Sequence, residues 1–404
     1  MNAPSESIVR PAQSSDDKTL DRLKRLISFN STSDRCNGSI TDYVADELAQ
    51  LGFQVERSQY FDDQRVIKHN LVARRDPPRA YGVARGIAYF AHTDVVPAGT
   101  WRGPGGDPFD AVVNDGRLYG RGACDMKGSL ATMLTALDLV PVTEQTAPIW
   151  VTCTADEETH LRGAKQLVAA GEAYRDLAQQ DPIALIGEPT RLEVVHGHKG
   201  IIGVEFQSVG RAAHSSTSDG INANVAMVPM LQTLLEWHDR CEQDESLQDS
   251  AFDPPTLNWN FGFHDDAKAV NVVPDRSTAW LTLRPMPTVD GSEILETLRE
   301  RADELGLEMD TMVGCGPLWT DPDDPVVQDF ASVVAPYNAD GHPKTVGYAT
   351  DGAVFDELRH RIICGPGDIA QAHTDAEFIE LEQLKLGIRC YRDVVARFAC
   401  DTNR

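Results

Sequence analysis

The sequence predicts an α/β protein: a doubly wound, mainly parallel sheet, interrupted by a smaller α+β unit with an antiparallel sheet and two helices. Three observations carry this. Apolar strand-like runs alternate with helical stretches through the first half, as in "GIAYFAHTD", "GSLATMLTALDLV", "PIWVTCTA", "GAKQLVAAGEAY" and "IALIGEPT". That βαβ rhythm places helices on both faces of a parallel sheet. After Lys199 the texture changes to half-exposed alternating strands such as "GIIGVEFQSVG", and from about Pro317 the first texture returns. The expected division is residues 1–197 plus 314–404 as the α/β domain and 198–313 as the inserted one.

Taken in order, Thr19 to Ile27 and Thr41 to Leu51 carry apolar residues at helical spacing, and Gly52 ends the second helix before the strand-like "FQVERSQY". Within the insert, "NANVAMVPMLQTLLEWHDRC" reads as a long helix despite Pro229. "TLNWNFGF" and "STAWLTLRPM" read as strands and "SEILETLRERADELG" as the second helix. The opening stretch, "MNAPSESIVRPAQSSDDKTL", lacks a basic segment followed by an apolar one. It reads as a loosely attached arm, not a signal peptide. No apolar run approaches the ~20 residues that span a bilayer.

At 404 residues the chain has room for two domains. Its net charge of −25 argues against nucleic-acid and anionic-membrane partners, which repel a broadly acidic surface. An anionic substrate would need local basic groups at its site. The eight cysteines are scattered, with no CxxC pair. That pattern points to reduced thiols in the cytoplasm and argues against cysteine ligation of a metal.

Ligands of a doubly wound sheet bind at the carboxyl edge of the strands. Metal-type side chains stand at such positions in several segments. His92 and Asp94 follow the first buried strand, two residues apart and so on one face. Asp125 lies in the Gly-rich "GRGACDMKG", Asp156, Glu157 and Glu158 follow "WVTCTA", Glu188 lies in "IGEPT" and His373 in "GPGDIAQAHTDAEF". Each has a bland explanation: a structural histidine, a helix cap, or acidic charge favoured by a helix dipole. Together they form a ligand set suited to a borderline-soft divalent ion such as Zn²⁺. No GxxxxGK[ST], GxSxG or HExxH pattern offers a rival chemistry. His196 and His198 in "HGH" mimic a metal pair but lie at the domain junction.

The segments "HTDVVP", "GRGACDMKG", "TADEE", "IGEPT", "HKG", "GRAAHSS", "NVVP", "LRP" and "GPGDIAQAH" occur in an order that resembles the M20 metallopeptidase and deacylase family, closest to its acetylornithine deacetylase branch. The resemblance spans the chain from about residue 20. Any one motif is weak; the ordered set is specific. It implies two Zn²⁺ ions, which Co²⁺ can replace. His92 and Glu188 would hold one, Glu158 and His373 the other, with Asp125 bridging. It further implies that Asp94 orients the His92 ring, that Glu157 is the general base, and that the Asp125–Met126 peptide is cis. From the insert, His214 would stabilise the oxyanion from the partner subunit of a homodimer, and Asn271 and Arg284 would hold substrate polar groups, Arg284 a carboxylate. Because Glu157 and Glu158 are adjacent, the backbone must turn there for both to face the site.

The implied reaction is hydrolysis of an N-acyl amino acid, N-acetylornithine first. Desuccinylases acting on succinyl-diaminopimelate carry a Gly-Gly-Thr-Ser-Asp pattern where this chain has "GYATDG". Tyr348, Thr350 and Asp351 resemble the acetylornithine branch instead, with Thr350 as a further substrate contact. Another acyl amino acid, such as acetylcitrulline, fits the same motifs. A metal-binding protein without catalysis would lack the base, and Glu157 is present.

Overall fold

The computed structural model describes residues 13–78, 85–267 and 269–400. The chain begins with α1 (Ser15–Ile27) and α2 (Gly38–Gln50). The Ser14 hydroxyl accepts from Asp17 N at the start of α1, with Asp16 and Asp17 in the first turn and Lys24 and Arg25 in the last. Cap and charges both favour that helix. It therefore starts four residues before Thr19 and takes up the last part of the expected arm; residues 1–12 of that arm lie outside the described residues.

Strands β1 (Gln54–Phe61), β2 (Ile67–Arg75), β3 (Ile87–His92), β4 (Val112–Asn114) and β5 (Arg117–Tyr119) come next, then α3 (Lys127–Asp138) and β6 (Ile149–Thr154). Helices α4 (Arg162–Ala170) and α5 (Glu172–Gln180) precede β7 (Ile183–Ile186) and β8 (Val195–His198). A second unit follows: β9 (Ile201–Val209), α6 (Asn224–Gln243), β10 (Trp259–Asp265), β11 (Arg276–Leu283), α7 (Ser292–Leu305) and β12 (Glu308–Cys315). The chain then returns through β13 (Leu318–Trp319), α8 (Pro325–Val334), β14 (Lys344–Val346), β15 (Arg361–Ile363), β16 (Phe378–Glu380) and α9 (Leu381–Ala399).

The main sheet runs β1-β2-β6-β3-β7-β15-β8-β13, with β14 on β8. Its centre, β6-β3-β7-β15, is parallel, and β1 and β2 extend it antiparallel. Every residue of β3, β6 and β7 is buried, which is why these strands read as unbroken apolar runs. Their side chains alternate between two cores. Ile87, Tyr89, Ala91, Ile149 and Val151 pack with residues of α1, α3 and α9, whereas Ala88, Phe90 and Trp150 pack with residues of α4 and α5. Both faces are thus covered, as a doubly wound sheet requires.

The second unit carries a four-stranded antiparallel sheet, β10-β11-β9-β12, over its own core with α6 and α7. Three features differ from expectation. "GAKQLVAAGEAY" is two helices: Gly171 is extended, and a Cβ there would stand 2.7 Å from the Leu167 carbonyl. Strand β2, whose charged ends mask its apolar centre, and the small sheet β16-β5-β4 have no counterpart in the sequence reading. No helix among the described residues is long and apolar enough to cross a membrane.

Candidate metal centre and active site

Parallel register brings the segments after β3, β6 and β7 side by side: His92 is opposite Thr154, and Phe90 opposite Ile186. His92 ends β3, Glu157 and Glu158 follow β6, and Glu188 follows β7. Asp125 arrives in the loop before α3, His373 in the loop before β16. The structure gathers the five expected ligands into two groups that share one member: His92, Asp125 and Glu188, and Asp125, Glu158 and His373. Asp125 turns Oδ1 to His92 Nε2 at 3.0 Å and Oδ2 to His373 Nε2 at 3.4 Å. Glu188 Oε1 lies 3.8 Å from His92 Nε2, and Glu158 Oε2 lies 2.9 Å from His373 Nε2. The Asp125–Met126 peptide is cis.

Asp94 meets the His92 ring chiefly through its main chain, and its carboxylate has another task. The His92 Nδ1 faces the Asp94 main-chain carbonyl at 3.0 Å, nearer than the carboxylate at 3.6 Å. The ring is therefore oriented by the backbone, leaving Nε2 for the centre. The Asp94 carboxylate instead accepts the main-chain N–H of Glu157 at 3.1 Å and of Glu158 at 3.3 Å. Thr93 points away, its hydroxyl donating to the Thr154 carbonyl. Asp156, a metal-type candidate by sequence, belongs to neither group and turns its carboxylate to Lys68 and Tyr60.

Glu377 was not singled out by sequence, yet it builds the Asp125 loop. Its buried carboxylate accepts from Arg121 Nη1, Gly122 N and Cys124 N, each at 2.8 Å, and from Asp125 N at 3.0 Å. Gly122 has φ +80°, and a Cβ there would stand 2.7 Å from the Val95 side chain, so the loop wraps the carboxylate only with glycine. The one available signal was an acid four residues after His373.

The electrostatics explain why this cluster needs a cation. Burial pushes Glu188 well above the usual carboxylate range, with Asp125 adding to it. Burial and Asp125 raise Glu158 to about 7. Burial acts on Asp125 in the same sense, but hydrogen bonds from His373 and His92 outweigh it and hold its carboxyl low. Hydrogen bonds to Asp125 and Glu158 lift His373 to about 10. Glu157 is pushed well up by burial and by Glu188, Asp351 and Glu158, against a lowering by His92. So many buried carboxylates with two imidazoles lack positive charge, and buried charge without compensation is costly. Oxygen and imidazole donors in two sets of three fit divalent ions.

The remaining expected residues stand apart. His214 is exposed and its Nδ1 meets the Ser216 hydroxyl at 2.7 Å. Asn271 is exposed, its carbonyl accepting Ser215 N, so the two loops are joined. Arg284 is half-buried, and its guanidinium has no ion-pair partner among the described residues. The Thr350 hydroxyl is buried and committed within the chain, 3.2 Å from His198 Nε2 and accepting Gly352 N. His198 Nδ1 lies 2.8 Å from the Lys199 carbonyl, and burial lowers the ring to about 4, so it is a neutral junction residue.

Fold and site together define a metal-dependent hydrolase. Residues 88–397 match Peptidase family M20/M25/M40, and the chain belongs to that family. It is 34% identical over 376 residues to an acetylornithine deacetylase of Myxococcus xanthus, covering 91% of this chain and 93% of the relative. It is 30% identical over 367 residues to an acetylornithine deacetylase of Pasteurella multocida, covering 88% and 90%. Among solved structures, an M20 family metallo-carboxypeptidase from Sulfolobus solfataricus matches with a TM-score of 0.73 at 18% identity, over 94% of this chain and 98% of that one. Human carnosine dipeptidase 1 matches with a TM-score of 0.69 at 17% identity, over 95% and 97%. At those identities the likeness concerns the fold.

Proposed function

We propose that the protein hydrolyses the amide of an N-acyl amino acid, N-acetylornithine foremost, with two zinc ions. His92 and Glu188 would hold one ion, Glu158 and His373 the other, and Asp125 both. The observation that carries this reading is the Asp125 carboxylate, whose two oxygens face the two histidines of separate groups. When bound, such ions polarise the scissile carbonyl and acidify the attacking water. Glu157 takes that water's proton and delivers it to the leaving amine nitrogen, which needs it to depart.

Arg284 would hold the substrate α-carboxylate, a role supported by its half-buried guanidinium, which has no ion-pair partner among the described residues. Named relatives at 34% and 30% identity support acetylornithine over the succinylated alternative. So does the stretch "GYATDG", where Tyr348, Thr350 and Asp351 stand in place of the desuccinylase Gly-Gly-Thr-Ser-Asp pattern. The test is a panel of N-acetyl and N-succinyl amino acids with added Zn²⁺ or Co²⁺. N-acetylornithine should give the highest kcat/KM; faster turnover of N-succinyl-diaminopimelate would favour the desuccinylase reading. In the same panel Arg284→Met should raise KM for N-acetyl amino acids and spare an acyl amine without a carboxylate. Equal losses on both would make Arg284 structural.

The reading extends to assembly, with 198–313 as lid and dimerisation domain and His214 completing the partner's site. Support comes from exposed apolar residues on that unit, Val225 at 72% and Phe263 at 64%, and from β10 at a sheet edge. Mixing Glu157→Gln with His214→Ala tests it. Each mixed dimer would hold one whole site, so free exchange of equal amounts should restore roughly a quarter of wild-type activity. Exchange without recovery would place His214 in cis or outside the reaction.

A further inference from the structure

Asp156, Glu157 and Glu158 follow one another directly; Glu158 belongs to a donor group, Glu157 stands beside the donors, and Asp156 turns away. Its backbone is left-handed, φ +54°, a conformation that costs a non-glycine residue energy unless its surroundings hold it. That turn lets its two neighbours leave β6 together on the side of the centre. What holds it is visible on the other side. Lys68, 1% exposed, donates from Nζ to Asp156 Oδ1 at 2.8 Å, and the Tyr60 hydroxyl donates to Asp156 Oδ2 at 2.8 Å. Tyr60 and Lys68 are direct partners in the β1–β2 ladder, so one antiparallel pair supplies both arms of the grip.

The grip continues into the active-site backbone. The Lys68 ammonium also donates to the Ser33 carbonyl and has Asp62 Oδ2 at 3.5 Å. The Ser33 hydroxyl donates to Asp94 Oδ2 at 2.8 Å, and the same Asp94 carboxylate accepts the amides of Glu157 and Glu158. The Asp-Glu-Glu turn is therefore held twice: by its first side chain through Lys68 and Tyr60, and by its next two amides through Asp94. Lys68 reaches both holds.

We infer that Lys68 is a positioning residue for the hydrolysis, acting with Tyr60 through Asp156 to aim Glu157. This rests on the reading of Glu157 as the general base. Lys68→Met alone would leave a buried carboxylate without its cation, so the main variant is Lys68→Met with Asp156→Asn, which removes both charges and keeps a residue that tolerates the left-handed backbone. Measured on N-acetylornithine, or the N-acetyl amino acid turned over best, its kcat should fall at least ~10-fold with KM little changed. Metal content and melting temperature should stay near wild type. Made again in Glu157→Gln, the pair of changes should cost less than about threefold, since the group it aims is already lost.

Tyr60→Phe removes one hydrogen bond and no charge; it should lower kcat about threefold or more, again only when Glu157 is present. It decides the matter alone if the double variant does not fold. Unchanged kcat in the variants, or equal fold-losses with and without Glu157, would overturn the inference and leave the base reading intact. Wild-type kcat in Glu157→Gln by itself would overturn the base reading and this inference with it.

Discussion

Glu157→Gln is expected to keep both metal ions and to lose at least ~10²-fold in kcat, the lower range for removing a general base. The two glutamates differ in what they touch. Glu158 meets His373 at 2.9 Å as part of a donor group, whereas Glu157 is in neither group and is surrounded by His92, Glu188, Asp351 and Glu158. An amide in place of its carboxylate removes the proposed proton acceptor and spares every member of the two donor groups. Metal analysis alongside single-turnover kinetics checks this. Loss of metal in Glu157→Gln, with retention in Glu158→Gln, would mean that the two roles are reversed.

Asp125→Ala should abolish tight binding of both ions at once. Each of the two donor groups counts Asp125 among its three members, and its two oxygens are divided between them. Removing it leaves two donors on either side, together with Glu188 and Glu158 that burial already disfavours as anions. Activity should fall with the metal. One tightly held ion per chain after dialysis would contradict a shared ligand.

The main sheet was legible because buried parallel strands cannot disguise themselves: β3, β6 and β7 are apolar at nearly every position and separated by helical segments. Convergence of His92, Glu158 and Glu188 follows from that topology, since the carboxyl ends of adjacent parallel strands must lie together. Strand β2 escaped detection because Lys68, His69, Arg74 and Arg75 break its pattern, and Lys68 is charged yet buried. A buried cation leaves no mark in a hydrophobic period, because its partner, Asp156, is 88 residues away.

Which strands end in ligand-type side chains can be read along the chain, because strand period and the order of β and α segments are local properties. Tertiary structure alone decided which of three consecutive acids turns away. That choice depends on Asp94, Lys68 and Tyr60 meeting the Asp156 turn from other strands. It also decided that Glu377 would organise the Asp125 loop and that Thr350 would face His198. Each of these outcomes is a hydrogen bond or charge pairing between residues far apart in the chain. Such pairings exist only once the backbone has brought a donor and an acceptor to one buried place, where leaving either alone is too costly.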